Sequence, residues 1–249
     1  MQLLVAGILI FRGHFRTLPL FTTYIILNIC QAGFLYLVYE HYGYSSHGAY
    51  VAGWWSEAIT LFARAFATVE VLYLVLTPFR GIWRLTWRLL ALSSMIVLMF
   101  MAFLAPRNPG WALMEADRGY HLIFATALIS CLVLIRYYHI GVDRIYKTLL
   151  ASFCFYSCIK VLTNTILQGF LYRQFLQFEP IWQTVAVSSF LIVLIVWVAA
   201  LARPLPALTE QQAVLPSAAY MRITPEINYQ LRAINEQLMN FWKIEEPRQ

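Results

Sequence analysis

Charged side chains inside long apolar segments are the residues of this chain with the clearest chemical potential. Glu57, Arg64 and Glu70 share one apolar segment, and Lys160 lies near the centre of another. A charge at mid-bilayer costs on the order of 3 kcal/mol, so such side chains normally face the interior of a helix bundle and find partners there. These residue types predict either ion pairs that join helices or a site for a ligand, an ion or a proton.

Polar residues at helical spacing accompany these charges. Glu57 and Arg64 are seven residues apart and share nearly the same helix face, whereas Glu70 points towards a different helix. Two further apolar segments carry polar stripes that we expect to face the same interior. The expected ligand site or buried polar network comprises Glu57, Arg64, Glu70, Lys160, Asn164, Asn28 and Gln31.

Two interpretations of this network stay open. In the structural one, Glu57 or Glu70 pairs with Lys160 or Arg64, and polar contacts between helices contribute roughly 1 kcal/mol each. In the functional one, the intramembrane ionisable residues mark a binding or conduction site. The sequence has no nucleotide-binding, zinc-protease or nucleophile-elbow motif, so we assign no catalytic residue, no cofactor and no metal site. Enzymatic activity is uncertain and without support.

The elements that must position these residues are long and apolar. Of 249 residues, 61% are hydrophobic and only 12% are charged, against about 25% charged residues in soluble domains. A membrane-spanning helix needs roughly 20 mostly apolar residues. Residues 1–11 are too few to cross unaided, but the pattern of charges favours a seventh helix there. Six longer segments qualify: 18–39, 52–76, 89–105, 120–138, 145–171 and 182–201.

Basic residues are concentrated in every second connector between these segments. This asymmetry predicts that the basic connectors are cytoplasmic, with the N-terminus outside and the C-terminus inside the inner (plasma) membrane. The net charge of +6 follows from this topology and does not indicate nucleic-acid binding. The basic set is Arg12, Arg16, Arg80, Arg84, Arg88, Arg136, Arg144, Lys147 and Arg203, and the opposite connectors hold Arg107, Arg118 and Arg173.

The composition changes after the membrane bundle of residues 1–203. Residues 204–223 read as a polar linker, and residues 224–249 as a cytoplasmic amphipathic helix and tail that begins at Thr224 and Pro225. Two heptads are too few to establish a coiled coil. The seam therefore predicts docking on the cytoplasmic loops or membrane surface, docking on a protein partner, or self-association. Its residues are Ile227, Leu231, Ile234, Leu238 and Phe241.

The stretch FRGHFRTLPLFTTY at residues 11–24 and the acidic Glu57 after paired tryptophans form a loose pattern. With the C-terminal helix, this pattern resembles uncharacterised bacterial seven-helix integral membrane proteins. The resemblance implies an all-α, polytopic bundle of seven transmembrane helices with a short cytoplasmic C-terminal helix. This chain departs from that pattern in its shortened first helix, and the resemblance implies no activity.

Three function classes follow. The first is a receptor-like or accessory subunit that senses a small ligand or docks a partner. The second is a small-molecule or ion transporter or channel that uses the intramembrane charges. Proline is missing from the middle of the spans, which weighs against the broken helices of secondary transporters. The third is a membrane enzyme acting on a lipid or a quinone-like molecule.

Overall fold

The computed structural model describes residues 1–43, 46–77, 79–106, 109–137, 140–166, 179–202, 233–234 and 236–237. Within this part of the chain there are seven α-helices, one short 3-10 helix (His14–Arg16) and no strand, which confirms the all-α prediction. The helices are α1 (Gln2–Phe11), α2 (Pro19–Tyr42), α3 (His47–Leu76), α4 (Arg80–Leu104), α5 (Pro109–Tyr137), α6 (Arg144–Ile166) and α7 (Glu179–Leu201).

Six of these helices, α2 to α7, are long and apolar enough to cross a membrane. The first helix is different, because its 10 residues extend only about 15 Å, half of the roughly 30 Å hydrocarbon core. It packs against α2 and α7, where Val5 and Leu9 are completely buried. The six spans agree with a polytopic membrane bundle, and a seventh span remains a prediction.

The junction between α1 and α2 depends on groups supplied by other helices. Gly13 adopts a left-handed conformation with φ of 70°, and α2 begins at Pro19 with no side-chain cap from Leu18. The first N–H groups of a helix lack intrahelical partners. The Glu70 carboxylate of α3 accepts hydrogen bonds from two of them, those of Leu20 (3.0 Å) and Phe21 (2.8 Å). Glu70 therefore caps α2.

The core lies where α3 packs against α2, α5 and α6. An aromatic cluster of Phe21, Tyr24, Phe153 and Trp197 connects α2, α6 and α7, with Phe21 and Trp197 edge to face at 4.9 Å between ring centroids. The Trp197 indole N–H donates to Ser152 Oγ at 2.6 Å. By contrast, α4 packs mainly on α5 and turns most of its apolar side chains outwards.

Several predicted boundaries were wrong, because the helices extend beyond their apolar windows. The fourth helix begins at Arg80 instead of residue 89, and the fifth at Pro109 instead of residue 120. Hydropathy windows exclude charged turns, yet such turns can remain helical, as the ion pair between Arg118 and Glu115 (2.6 Å) three residues earlier illustrates. Asp117 thus lies on a helix and not in a loop.

The tail falls almost entirely outside the described residues. The predicted linker at 204–223 and four members of the seam, Ile227, Leu231, Leu238 and Phe241, lie outside them. Ile234 has a helical backbone and a side chain that is 42% exposed. The C-terminal amphipathic helix and the docking surface on it therefore stay predictions.

Candidate functional site

Arg64 is the centre of a buried polar cluster in the bundle. Its side chain is only 9% exposed, and it lies between three other helices. Its Nε donates to the Tyr24 hydroxyl of α2 at 3.4 Å, and its Nη1 is 3.0 Å from His121 Nε2 of α5. Its guanidinium carbon is also 5.2 Å from the ring centroid of Tyr156 in α6, within the range of a cation–π contact.

The neighbours of His121 determine its tautomer. Arginine can only donate hydrogen bonds, so the Arg64 contact makes Nε2 of His121 an acceptor. The proton of a neutral imidazole then lies on Nδ1, which is 3.3 Å from Ser157 Oγ and can donate to it. The ring of His121 also packs edge-on against Tyr156, with centroids 5.7 Å apart. In this arrangement His121 is neutral, and both of its nitrogens have partners.

Asp117 is the incompletely satisfied member of the cluster. Its Oδ2 accepts a hydrogen bond from Asn164 Nδ2 at 2.8 Å. Its Oδ1 is buried and accepts no hydrogen bond from any described residue, although it lies 3.4 Å from His121 Nε2 and 3.9 Å from Arg64 Nη1. A neutral His121 with its proton on Nδ1 has no hydrogen to offer this oxygen. Oδ1 thus lacks a hydrogen-bond donor among the described residues, although two basic side chains lie close to it.

Protonation of His121 would change these partners. A doubly protonated imidazole has donors on both nitrogens and no acceptor. A small rotation of the ring would then let Nε2 donate to Asp117 Oδ1, which is 3.4 Å away, while the hydrogen bond from Arg64 would be lost. The same buried atoms thus support two alternative hydrogen-bond arrangements, and a single proton selects between them. Another hydrogen-bond donor placed near Asp117 Oδ1 would shift the balance between the same two arrangements.

The cluster reaches the surface of the bundle through Glu57. The Glu57 side chain is 40% exposed, and its Oε1 lies 3.9 Å from Arg64 Nη2. Gln31 Nε2 is 3.3 Å from Glu57 Oε2 and 3.3 Å from Ser56 Oγ. We call Glu57, Gln31 and Ser56 the rim. It joins α2 and α3 and connects the interior with the surface.

The remaining predicted site residues occupy different positions. Lys160 is half-buried and lies within electrostatic range of Asp117, Glu57 and the Tyr156 hydroxyl, but no described carboxylate is within 4 Å of its ammonium group. Asn28 donates to the Tyr24 carbonyl of its own helix at 2.7 Å. The structure thus brings Glu57, Arg64, Gln31 and Asn164 together, with Lys160 nearby. Asn28 forms its hydrogen bond within its own helix, and Glu70 caps α2.

Sequence reasoning missed Asp117 and His121, which complete the cluster. Both lie outside or at the edge of the predicted spans, because the predicted segment 120–138 begins after Asp117. Their separation of four residues places them on one helix face, and this spacing was the available signal. A second signal was the charge balance of the predicted network. It placed the cations Arg64 and Lys160 on two helices, but it had no carboxylate on a third helix that could face them.

The chemistry available here is proton exchange and polar recognition. Among the described residues, no three histidine, cysteine, aspartate or glutamate side chains are grouped so that they could hold a metal ion, and the four cysteines are unpaired. A fold alone does not identify an activity, so the function has to be argued from the cluster itself. Comparison with protein families, with curated proteins and with solved structures finds no match to this chain.

Proposed function

We propose that this protein is a multi-pass membrane protein of the receptor-like or accessory class, whose polar cluster senses a small ligand or a proton. The observation that carries the proposal is the buried Asp117 Oδ1, which accepts no hydrogen bond within the described part of the chain. A buried acceptor without a donor costs about 1–3 kcal/mol. Such a group, 3.4 Å from His121 Nε2 and 3.9 Å from Arg64 Nη1, is well suited to respond to a signal.

The signal would act by supplying a donor to Asp117. Protonation of His121 is the simplest case, because Nε2 is already 3.4 Å from Oδ1. A small molecule with an N–H or O–H group is the other case, and it would enter past the half-exposed Glu57 at the rim. Protonation releases Arg64 from His121, whereas a bound molecule would compete with Arg64 for Asp117; in both cases Arg64 contacts α2 through Tyr24. The change would therefore spread to the packing of α2 against α3.

Under this proposal, the tail passes the response to a partner. The basic connectors support an orientation with the tail in the cytoplasm of the inner (plasma) membrane. The seam from Ile227 to Phe241 would then bind a partner subunit or a second copy of the chain, or fold back on the cytoplasmic loops. The lipid bilayer is the other partner, and nucleic acid is not expected.

A transporter or channel for ions or small molecules is the second candidate. It is favoured by one observation, the series of ionisable groups from the half-exposed Glu57 through Arg64 to Asp117. Against it, each of the six apolar helices is continuous over the range in which it is described, whereas substrate sites in many secondary transporters use broken helices. The two candidates differ in a measurable way, because only the second moves solute.

Tryptophan fluorescence of the purified protein tests the sensing proposal. Trp197 lies 6.3 Å from Tyr24, centroid to centroid, and Tyr24 contacts Arg64. We expect the fluorescence of the parent protein to change on acidification, because His121 then takes up a proton. Asp117→Asn and His121→Gln should abolish this change. Glu115→Gln is the matched control, because this carboxylate lies on the same helix but pairs with Arg118.

A change that persists in Asp117→Asn and His121→Gln would overturn the sensing proposal. The same preparations, placed in liposomes that contain a pH-sensitive dye, separate the two candidates. A receptor-like protein should leave an imposed pH gradient unchanged relative to protein-free liposomes. Dissipation of the gradient that Asp117→Asn abolishes would instead support proton transport through the cluster.

A further inference from the structure

A groove between α6 and α7 is lined by none of the residues of the Arg64 cluster. It has a volume of about 430 Å³, and it lies where α6 begins and α7 ends. Two basic residues from the first turn of α6, Arg144 and Lys147, line one end of the groove. Apolar side chains, including Phe155, Ile192 and Val196, line the rest of it. The groove therefore combines a cationic end with an apolar channel.

The cationic end has charge available for a ligand. Arg144 is exposed and Lys147 is half-buried, and neither has a carboxylate within 4 Å among the residues that the structure describes. Asp143 precedes the helix and is exposed. The first turn of α6 adds to the positive potential, because helix N-termini carry a partial positive charge. A phosphate group is the chemistry that this end would attract.

The length of the groove matches one leaflet of a bilayer. Arg144 and Phe155 are eleven residues apart in α6, which corresponds to about 17 Å along the helix axis. One leaflet of hydrocarbon is about 15 Å thick, half of the full core. A groove that begins at the end of the bundle and reaches the middle of the membrane would accommodate an acyl chain. Ala151 leaves space for it between the helices.

We propose that this groove binds an anionic phospholipid, with its phosphate against Arg144 and Lys147 and one acyl chain along Phe155, Ile192 and Val196. Basic pockets between transmembrane helices at the cytoplasmic side are known to suit anionic headgroups. The proposal uses no residue of the Arg64 cluster, and it stands or falls independently of the sensing function. It depends on the chain crossing a membrane with the start of α6 on the cytoplasmic side, as the basic connectors predict.

Native mass spectrometry of the full chain in detergent micelles tests the headgroup contact. The probes are phosphatidylglycerol and phosphatidylcholine with identical acyl chains. We expect the parent to bind the first phosphatidylglycerol molecule more tightly than phosphatidylcholine. The variant Arg144→Gln/Lys147→Gln should weaken phosphatidylglycerol binding by about 30-fold, which corresponds to about 2 kcal/mol, as expected for two basic side chains near a membrane surface.

The matched control is Arg12→Gln/Arg84→Gln, which removes two exposed basic residues that do not line the groove. It should change phosphatidylglycerol affinity by less than about threefold, since only distant charge is lost. Equal weakening in the two double variants would indicate attraction to the basic surface in general and would overturn the site. Unchanged binding in Arg144→Gln/Lys147→Gln would overturn it as well.

The acyl-chain contact needs a separate variant. Ala151→Phe fills the groove without changing its charge, and Ile192→Trp does so from the opposite wall. Each variant should weaken the binding of phosphatidylglycerol and of phosphatidylcholine about equally. Unchanged helicity by circular dichroism would show that the variants are folded. If both variants bind lipid like the parent, the apolar groove is not the site. Displacement of phosphatidylglycerol by soluble glycerol phosphate would assign the basic end to a free phosphate compound and would overturn the lipid proposal.

Discussion

Replacement of Arg64 by leucine is the most informative perturbation of the bundle. The Nη1 of Arg64 lies 3.9 Å from Asp117 Oδ1, and both side chains are nearly buried. At an effective dielectric constant of about 20, two unit charges at this distance interact by about 4 kcal/mol. The contact with Glu57 adds little, under about 1 kcal/mol, because the Glu57 side chain is 40% exposed.

This magnitude agrees with an independent estimate. Removal of one partner from a buried ion pair typically costs about 3–5 kcal/mol, because the other charge is left uncompensated. We therefore expect Arg64→Leu to lower the free energy of unfolding by about 3–5 kcal/mol. The measurement is unfolding of the detergent-solubilised protein with increasing dodecyl sulfate, followed by tryptophan fluorescence.

Two further variants make the result interpretable. Leu191→Ala truncates an outward-facing side chain that is 45% exposed, and it should change the unfolding free energy by about 0.5 kcal/mol. Arg64→Leu/Asp117→Asn removes both charges. Its decrease in the free energy of unfolding should therefore be smaller, by about 2 kcal/mol, than the sum of the decreases in the two single variants. Equal, small effects of Arg64→Leu and Leu191→Ala would refute the reasoning and would favour an arginine that reaches the membrane surface.

Three other predictions concern the helix cap, the topology and the tail. Glu70→Ala should lower the unfolding free energy by about 2–3 kcal/mol in the same assay, because two backbone N–H groups of α2 lose a charged acceptor; a loss below about 0.5 kcal/mol would mean that water replaces the carboxylate. An impermeant thiol reagent added outside cells should label a cysteine placed at Gly48 and not one at Ala213, as the basic connectors predict, and reversed labelling would invert the topology. Leu231→Asp with Leu238→Asp should speed proteolysis of the tail in inside-out vesicles, since an isolated amphipathic helix is marginal in water; equal rates of cleavage would show that the seam was never buried.

The sequence by itself determined the class of structure. Long apolar segments require helices in a membrane, because every backbone polar group must be satisfied within the segment. Local spacing also predicted that Glu57 and Arg64 share a face, since helical periodicity is a property of a single helix. The charges inside the spans marked Arg64 as a residue that needs partners. These conclusions depend only on neighbours within one helix and on the cost of burying charge.

Tertiary structure decided which partners meet. Arg64 contacts His121 57 positions away in the sequence, and Asn164 contacts Asp117 across 47 positions. Such contacts depend on the rotation and tilt of each helix against its neighbours, which the periodicity of a single helix does not specify. For the same reason, Glu70 could be predicted to point away from Arg64, but its role as the cap of α2 followed only from the position of that helix. The Asp117 oxygen that accepts no hydrogen bond from a described residue, on which the proposed function rests, owes its surroundings to three helices, α3, α5 and α6.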